Sequence, residues 1–192
     1  MPPLILASTS RYRRELLTRF GLEFRSVAPG VDEAPLLAES AHDRAVRLAL
    51  AKASAVATAH PGSVIIGSDQ VGVCKAESLE KPGNADRARV QLQWLSASAA
   101  TFYTAVAVLQ TEPLHTLQFV DTTTVYFRAL SEEEIERYIE VEKPFDCAGA
   151  FRCEGLGVSL FTRVVSEDPT GLIGLPLIAV ARSLRQLGFP VP

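Results

Sequence analysis

The sequence predicts an α/β fold, a mixed, twisted sheet with flanking helices, on three observations. Short apolar runs at Leu4–Ala7 and Val64–Ile66 have the length and flanks of buried strands. Ser40, Asn84 and Ser131 each stand before a segment of helical spacing, where a side-chain oxygen caps free N–H groups. Phe102–Leu109 and Leu117–Arg128 alternate well enough to be long strands. Strands and helices are mixed without a strict βαβ repeat, which argues for a mixed sheet.

The elements follow in order. Leu4–Ala7 is the first strand, and Arg11 to Phe20 a helix with Leu16, Leu17 and Phe20 on one side, stopped by Gly21. Glu23 to Ala28 is a second strand ending at Pro29-Gly30. A long helix runs from Ala41 to Ala59, with Asp43 in its first turn and His60-Pro61-Gly62 at its end. Val64-Ile65-Ile66 flows into Gly67-Ser68-Asp69-Gln70, where the strand is expected to stop. Asn84 opens a helix to Leu95, and the two long strands turn near Glu112-Pro113. Ser131 and Glu134 form a capping box for a helix to Val141. Gly155 to Phe161 is expected as a strand, and Pro176 to Leu187 as the closing helix, with Pro in its first turn.

The chain of 192 residues fits a single domain, 1–192. Hydrophobic residues make up 47%, enough for a core, and charged residues 21%, which excludes a disordered chain. A net charge of −3 gives no general attraction for polyanions, so long nucleic acid is not an expected partner. Cys74, Cys147 and Cys153 are odd in number and lack a CxxC pair, which argues against a disulfide framework or zinc site and for reduced, mostly buried thiols. Met1 to Ala7 lacks a basic segment and no apolar stretch approaches the roughly 20 residues of a membrane span. A cytoplasmic protein without membrane contact is expected.

Several residues can carry chemistry. Ser8-Thr9-Ser10-Arg11-Tyr12-Arg13-Arg14 lies where a buried strand turns into a helix. Free N–H groups there bind anions, and hydroxyls and guanidinium groups add to that. A serine cap with solvated arginines explains the same residues. The segment is not a Walker loop, because the glycines and Lys-Ser/Thr are missing. Lys52 shares a helix face with Leu48 and Val56, so it either snorkels out or meets an anion. Lys81 precedes Pro82 and is held extended in a loop.

Asp69 is the sharpest single residue. A carboxylate at the end of an apolar strand borders the ligand crevice of an open α/β sheet, where it can hold a cation or take a proton from water. An Asx turn closing the strand is the bland alternative. Asp32-Glu33 follows Pro29-Gly30 as a second acidic pair. Between Cys147 and Gly157, glycines point to tight turns, and Glu154 among apolar neighbours wants a donor. Serines with Arg13, Lys52 and Lys81 for phosphates, and Glu33 and Asp69 for metal and water, make the minimum kit for cleaving a phosphoanhydride.

In order, these motifs resemble the Maf family. The resemblance rests on Leu6-Ala7-Ser8-Thr9-Ser10 with Arg13, Val31-Asp32-Glu33, Ala51-Lys52-Ala53 and Ile66-Gly67-Ser68-Asp69. Lys81-Pro82, Phe102-Tyr103-Thr104, Ala148-Gly149 with Glu154-Gly155, and Gly174-Leu175-Pro176 continue it across the chain. Glu80 departs from it, standing where many members have Gly. The resemblance implies a fold like that of inosine triphosphate pyrophosphatases, two lobes around a cleft, and a homodimer. It also implies hydrolysis of a nucleoside triphosphate at the α-phosphorus with a divalent metal (Mg²⁺, Mn²⁺ or Co²⁺). Carried over by position, Asp69 is the general base, Glu33 and Asp69 bind metal, and Ser8, Arg13, Lys52 and Lys81 hold the triphosphate.

Within the family, Tyr12, Gln70 and Glu154 together resemble the branch acting on 7-methyl-GTP. The branch acting on dTTP and UTP has Arg, Thr and Gln at the matching places. Methylation at N7 makes guanine cationic, and a tyrosine face attracts a cation. A carboxylate at Glu154 accepts from the adjacent donors of guanine, which uracil and thymine lack, and Gln70 adds a polar contact. Tyr12 as helix surface, Gln70 as loop polarity and Glu154 as an ion pair with Arg152 are the ordinary alternatives. Preference for dTTP, UTP or another noncanonical triphosphate is the alternative activity. A nucleotide-binding regulator of septum formation is the alternative class.

Overall fold

The computed structural model describes residues 1–192. The chain forms seven strands and five α-helices. They are β1 (Leu4–Ala7), α1 (Arg11–Thr18), β2 (Arg25–Ser26), α2 (Ala41–Ala57), β3 (Val64–Cys74), β4 (Glu77–Leu79) and α3 (Ala85–Leu95). There follow β5 (Ala99–Thr111), β6 (Leu114–Phe127), α4 (Glu132–Glu142), β7 (Phe161–Val165) and α5 (Leu177–Gln186). The strands pair in the order β2-β1-β3-β5-β6-β7, with β4 on β3. β1 is parallel to β2 and to β3, whereas β3–β4 and β6–β7 are antiparallel. The sheet is therefore mixed, as expected. No helix is long and apolar enough to cross a membrane.

The chain divides into two compact units. The first comprises residues 1–70, 103–121 and 168–192. Its core gathers Leu4 and Leu6 of β1, Leu16 and Leu17 of α1, Val64 and Ile66 of β3, Val106 and Val108 of β5, and Val180 and Leu184 of α5. All four residues of β1 are buried, so the strand is a continuous apolar run, as parallel strands covered on both faces are. Ser10 and Ser40 cap α1 and α2 by accepting from the N–H groups of Arg13 and Asp43.

α2 lies close on β3 at Gly67. A Cβ there would stand 2.2 Å from the carbonyl oxygen of Ala49 and 2.6 Å from the amide nitrogen of Ala53. Both atoms are helix backbone and cannot turn aside, so the glycine is what lets α2 approach. Gly67→Ala should destabilise the protein by about 3 kcal/mol, the upper range for overpacking a core. Urea denaturation measures this, and a loss under about 1 kcal/mol would show that α2 yields easily.

The second unit comprises residues 71–102 and 122–167. Phe102, Phe127, Phe151 and Phe161 make its aromatic centre, meeting edge to face with ring centroids 5.1–5.6 Å apart. Asn84 caps α3, and Ser131 with Glu134 closes the expected capping box on α4. Both Glu134 carboxylate oxygens also lie 2.9 Å from Arg128 Nη1. The Arg128 hydrogen bonds, then the Ser131 N–H, hold this carboxyl down at about 2. A group depressed in the folded state stabilises fully above its unfolded value of about 4.5 and loses that contribution as pH falls towards 2. The melting-temperature gap between wild type and Glu134→Gln should thus be constant above pH 5 and shrink below about 4.5. A gap independent of pH would sink this.

Two strand expectations need correction. Gly155–Phe161 is not a strand: Leu156–Leu160 is a 3-10 helix, and β7 begins only at Phe161. The Gly155 and Gly157 amides both turn back to the carbonyl of Arg152, and that tight closure overrides the apolar alternation. Nor does β3 end at Asp69. It runs on to Cys74, mostly buried, so the polar Ser68-Asp69-Gln70 lies mid-strand. β2 is shorter than expected because it pairs only with Ile5 and Leu6. Of the three free thiols, Cys74 is buried while Cys147 and Cys153 are half-buried.

Candidate active site

The strand that ends at the site is β1. Its parallel register sets Ala7 against Gly67, so Ser8 leaves the sheet just where Ser68 and Asp69 continue without a β1 neighbour. The strand end that the sequence places on β3 is thus that of β1. Ser8 is 5% exposed, and its hydroxyl oxygen accepts from the Ser10 N–H at 3.1 Å. The turn into α1 is thereby fixed, with Arg13 in the first turns of the helix.

Lys52 meets anions rather than snorkelling out. It is 5% exposed, and its ammonium lies 2.6 Å from both Asp69 Oδ1 and Glu33 Oε1. Asp69 is itself buried, at 6% exposed, whereas the Glu33 side chain stays 57% exposed. The Glu33 segment is held by arginines of α2. Arg44 donates to the Glu33 carbonyl at 3.0 Å, and Arg47 donates to the Ala34 carbonyl and to the Glu39 carboxylate. Arg13, half-buried, donates from Nε to the Gly174 carbonyl at 2.9 Å. Burial pushes its guanidinium below the ordinary value, while the negative charges of Asp69 and Glu33 pull it back up.

Backbone carbonyls of the loop before α5 organise the rest. The Ser68 hydroxyl donates to the Gly174 carbonyl that Arg13 also uses, at 3.0 Å. The Gln70 amide nitrogen lies within 3.1 Å of the Thr104 hydroxyl and of the Gly171 and Leu172 carbonyls. Its N–H donors are therefore spent inside the protein. The loop is braced by Asp168, whose carboxylate accepts from the N–H groups of Thr170 and Ile178. That supplies α5 with the side-chain cap which Pro176 cannot give. The sequence reading missed Asp168 and Thr170, although an Asp-x-Thr pair shortly before a helix is a capping signal.

Tyr12 is half-buried, with the Arg11 guanidinium 4.6 Å from its ring centroid. Its ring face already attracts a cation. Ser8, Arg13, Glu33, Lys52, Asp69, Gln70 and Tyr12 all belong to the first unit. Lys81 and Glu154 belong to the second. Lys81 is exposed in an irregular segment, as expected, and the neighbouring Glu80 carbonyl accepts from Gln91. Glu154 lies 3.8 Å from Arg152 Nε and accepts from the Cys153 thiol at 3.5 Å.

No group of three or more His, Cys, Asp or Glu side chains gathers into a cage. Glu33 and Asp69 instead converge on one point, now held by Lys52, with hard oxygen donors. One or two carboxylates plus substrate phosphates is how Mg²⁺ is commonly bound, so the pair fits such an ion.

A family model described as Maf-like protein matches residues 3–187. A protein of Xanthomonas oryzae pv. oryzae named 7-methyl-GTP pyrophosphatase is 52% identical over 192 residues, all of both chains. One of Bordetella pertussis with the same name is 49% identical over 188 residues, covering 98% of this chain and 94% of that one. Among solved structures, that of the Staphylococcus aureus Ham1 protein is similar at a TM-score of 0.47 and 13% identity, over 81% of this chain and 89% of that one. A likeness that distant carries no argument.

Proposed function

The chain belongs to the Maf family, and from that premise we propose that it hydrolyses 7-methyl-GTP to 7-methyl-GMP and pyrophosphate. The observation that carries this is the Lys52 ammonium 2.6 Å from both Asp69 and Glu33, at the strand end that also carries Ser8. The full-length relatives named 7-methyl-GTP pyrophosphatase support the choice of substrate. So does the occurrence of Tyr12, Gln70 and Glu154 together.

In the proposed reaction a water oxygen attacks the α-phosphorus, the bond from that phosphorus to the bridging α–β oxygen breaks, and pyrophosphate leaves. Asp69 takes the proton from the water. Lys52, hydrogen-bonded to Asp69 at 2.6 Å, orients that carboxylate and brings a positive charge to the triphosphate. Arg13, fixed by the Gly174 carbonyl, and the Ser8 hydroxyl bind phosphate oxygens, and Arg13 stabilises charge on the leaving group. Lys81 adds a further phosphate contact. Glu33 and Asp69 would hold the divalent cation, which shields phosphate charge and acidifies water. Tyr12 takes the cationic base by its ring face, and Glu154 accepts from the base edge. Removal of a modified nucleotide from the pool is the role proposed, by a cytoplasmic homodimer with residues 1–192 as one catalytic domain.

The test is a panel of 7-methyl-GTP, GTP, UTP, dTTP and ITP with Mg²⁺ or Mn²⁺, both products being identified. The expected result is preference for 7-methyl-GTP with monophosphate and pyrophosphate released. Preference for UTP or dTTP would overturn the base assignment. No turnover of any of them would overturn the enzymatic reading.

A further inference from the structure

The segment that carries Glu154 is laid on one face of α4. Tyr138 and Glu142 stand four residues apart on that helix, hence on the same side. The Tyr138 hydroxyl accepts the Arg152 N–H at 3.0 Å. Glu142 Oε2 accepts the Leu156 N–H at 2.6 Å, and Glu142 Oε1 lies 2.5 Å from Arg152 Nη2. The Glu142 side chain is only 5% exposed. Gly155 permits this approach, since a Cβ there would stand 2.6 Å from Glu142 Oε2.

Two carboxylates thus compete for the Arg152 guanidinium. Glu142 takes it at 2.5 Å, while Glu154 keeps only a looser ion pair with it at 3.8 Å, beyond hydrogen-bond range. The structure assigns Glu142 as a positioning residue for base selection: by holding Arg152, it leaves the charge of Glu154 available to a cationic base. The assignment rests on the reading of Glu154 as a base contact. With Glu142 present the three side chains carry one net negative charge, which favours cationic 7-methylguanine over neutral guanine. Without it, Arg152 is the counter-ion of Glu154 and that electrostatic preference goes.

The experiment compares kcat and KM for 7-methyl-GTP and GTP in wild type, Glu154→Gln, Glu142→Gln and the double variant Glu142→Gln/Arg152→Met. Glu142→Gln should lower the 7-methyl-GTP to GTP ratio of kcat/KM on the order of tenfold, as for a lost charged contact. The change should lie in KM for 7-methyl-GTP rather than in kcat. The double variant should regain the ratio, because the released guanidinium is gone. If Glu154→Gln lowers the ratio and Glu142→Gln does not, the role of Glu142 is overturned while that of Glu154 stands. If Glu154→Gln itself leaves the ratio unchanged, Glu154 does not read the base and both assignments fall. A ratio lost in Glu142→Gln and not regained in the double variant means a collapsed loop, which also overturns the inference.

Discussion

Asp69→Asn should lower kcat for 7-methyl-GTP on the order of a thousandfold, the range for losing a positioned general base. Asparagine has almost the same shape, and its amide oxygen can keep the contact that Asp69 Oδ1 makes with Lys52. Lys52 also retains Glu33 at 2.6 Å, so it is not left without a counter-charge. The fold should therefore survive while the proton acceptor is lost. Single-turnover rates measured beside calorimetric binding of 7-methyl-GTP separate the two effects. A variant that binds nucleotide and turns over within tenfold of wild type would remove Asp69 from the chemistry.

Lys52→Met should act mainly on stability, and strongly. Asp69 is buried, and the substitution takes away its ammonium partner. Glu33 is more than half exposed and can turn to water, but Asp69 has no such escape. Removing one member of a buried ion pair typically costs about 3–5 kcal/mol, because a charge is left without compensation. Urea denaturation of Lys52→Met, Asp69→Asn and the double variant forms a cycle. The double variant should be more stable than Lys52→Met alone, since a neutral asparagine needs no counter-ion. Strict additivity of the two substitutions would show that Lys52 and Asp69 do not stabilise one another.

Most of the fold was legible because its signals are local. The caps at Ser40, Asn84 and Ser131 each begin the helix expected of them, since a cap is decided within four residues. The helix Ala85–Leu95 matches at both ends. The errors arose where distant groups decide. β3 passes Asp69 because its Gly72–Cys74 end pairs with β4, which a reader of Gly67-Ser68-Asp69-Gln70 cannot see. The Gly155–Phe161 strand failed because Glu142 and the Arg152 carbonyl, outside that run, dictate its backbone. The site divides in the same way. Lys52 was visible as a cation on an apolar face, and its pairing with Asp69 was one of two outcomes open to it. Gln70 was visible as polar, but its three internal acceptors lie more than thirty residues away.

The loop from Gly171 to Gly174 works through its main chain. Its carbonyls receive Gln70, Arg13 and Ser68, and no side chain of Leu172 or Ile173 is needed for that. Substitution of Leu172 leaves the acceptors where they are, whereas Ile173 packs against the core of the first unit and is held to an apolar residue. The two glycines are less free: Gly174 has φ of 120°, and a Cβ at Gly171 would stand 2.1 Å from Asp121 Oδ2. A change of loop length, by contrast, would move every acceptor at once. The segment should accordingly tolerate drift at Leu172, keep an apolar residue at Ile173 and resist any insertion or deletion, and alanine scanning at Leu172 would understate how much the protein depends on the loop.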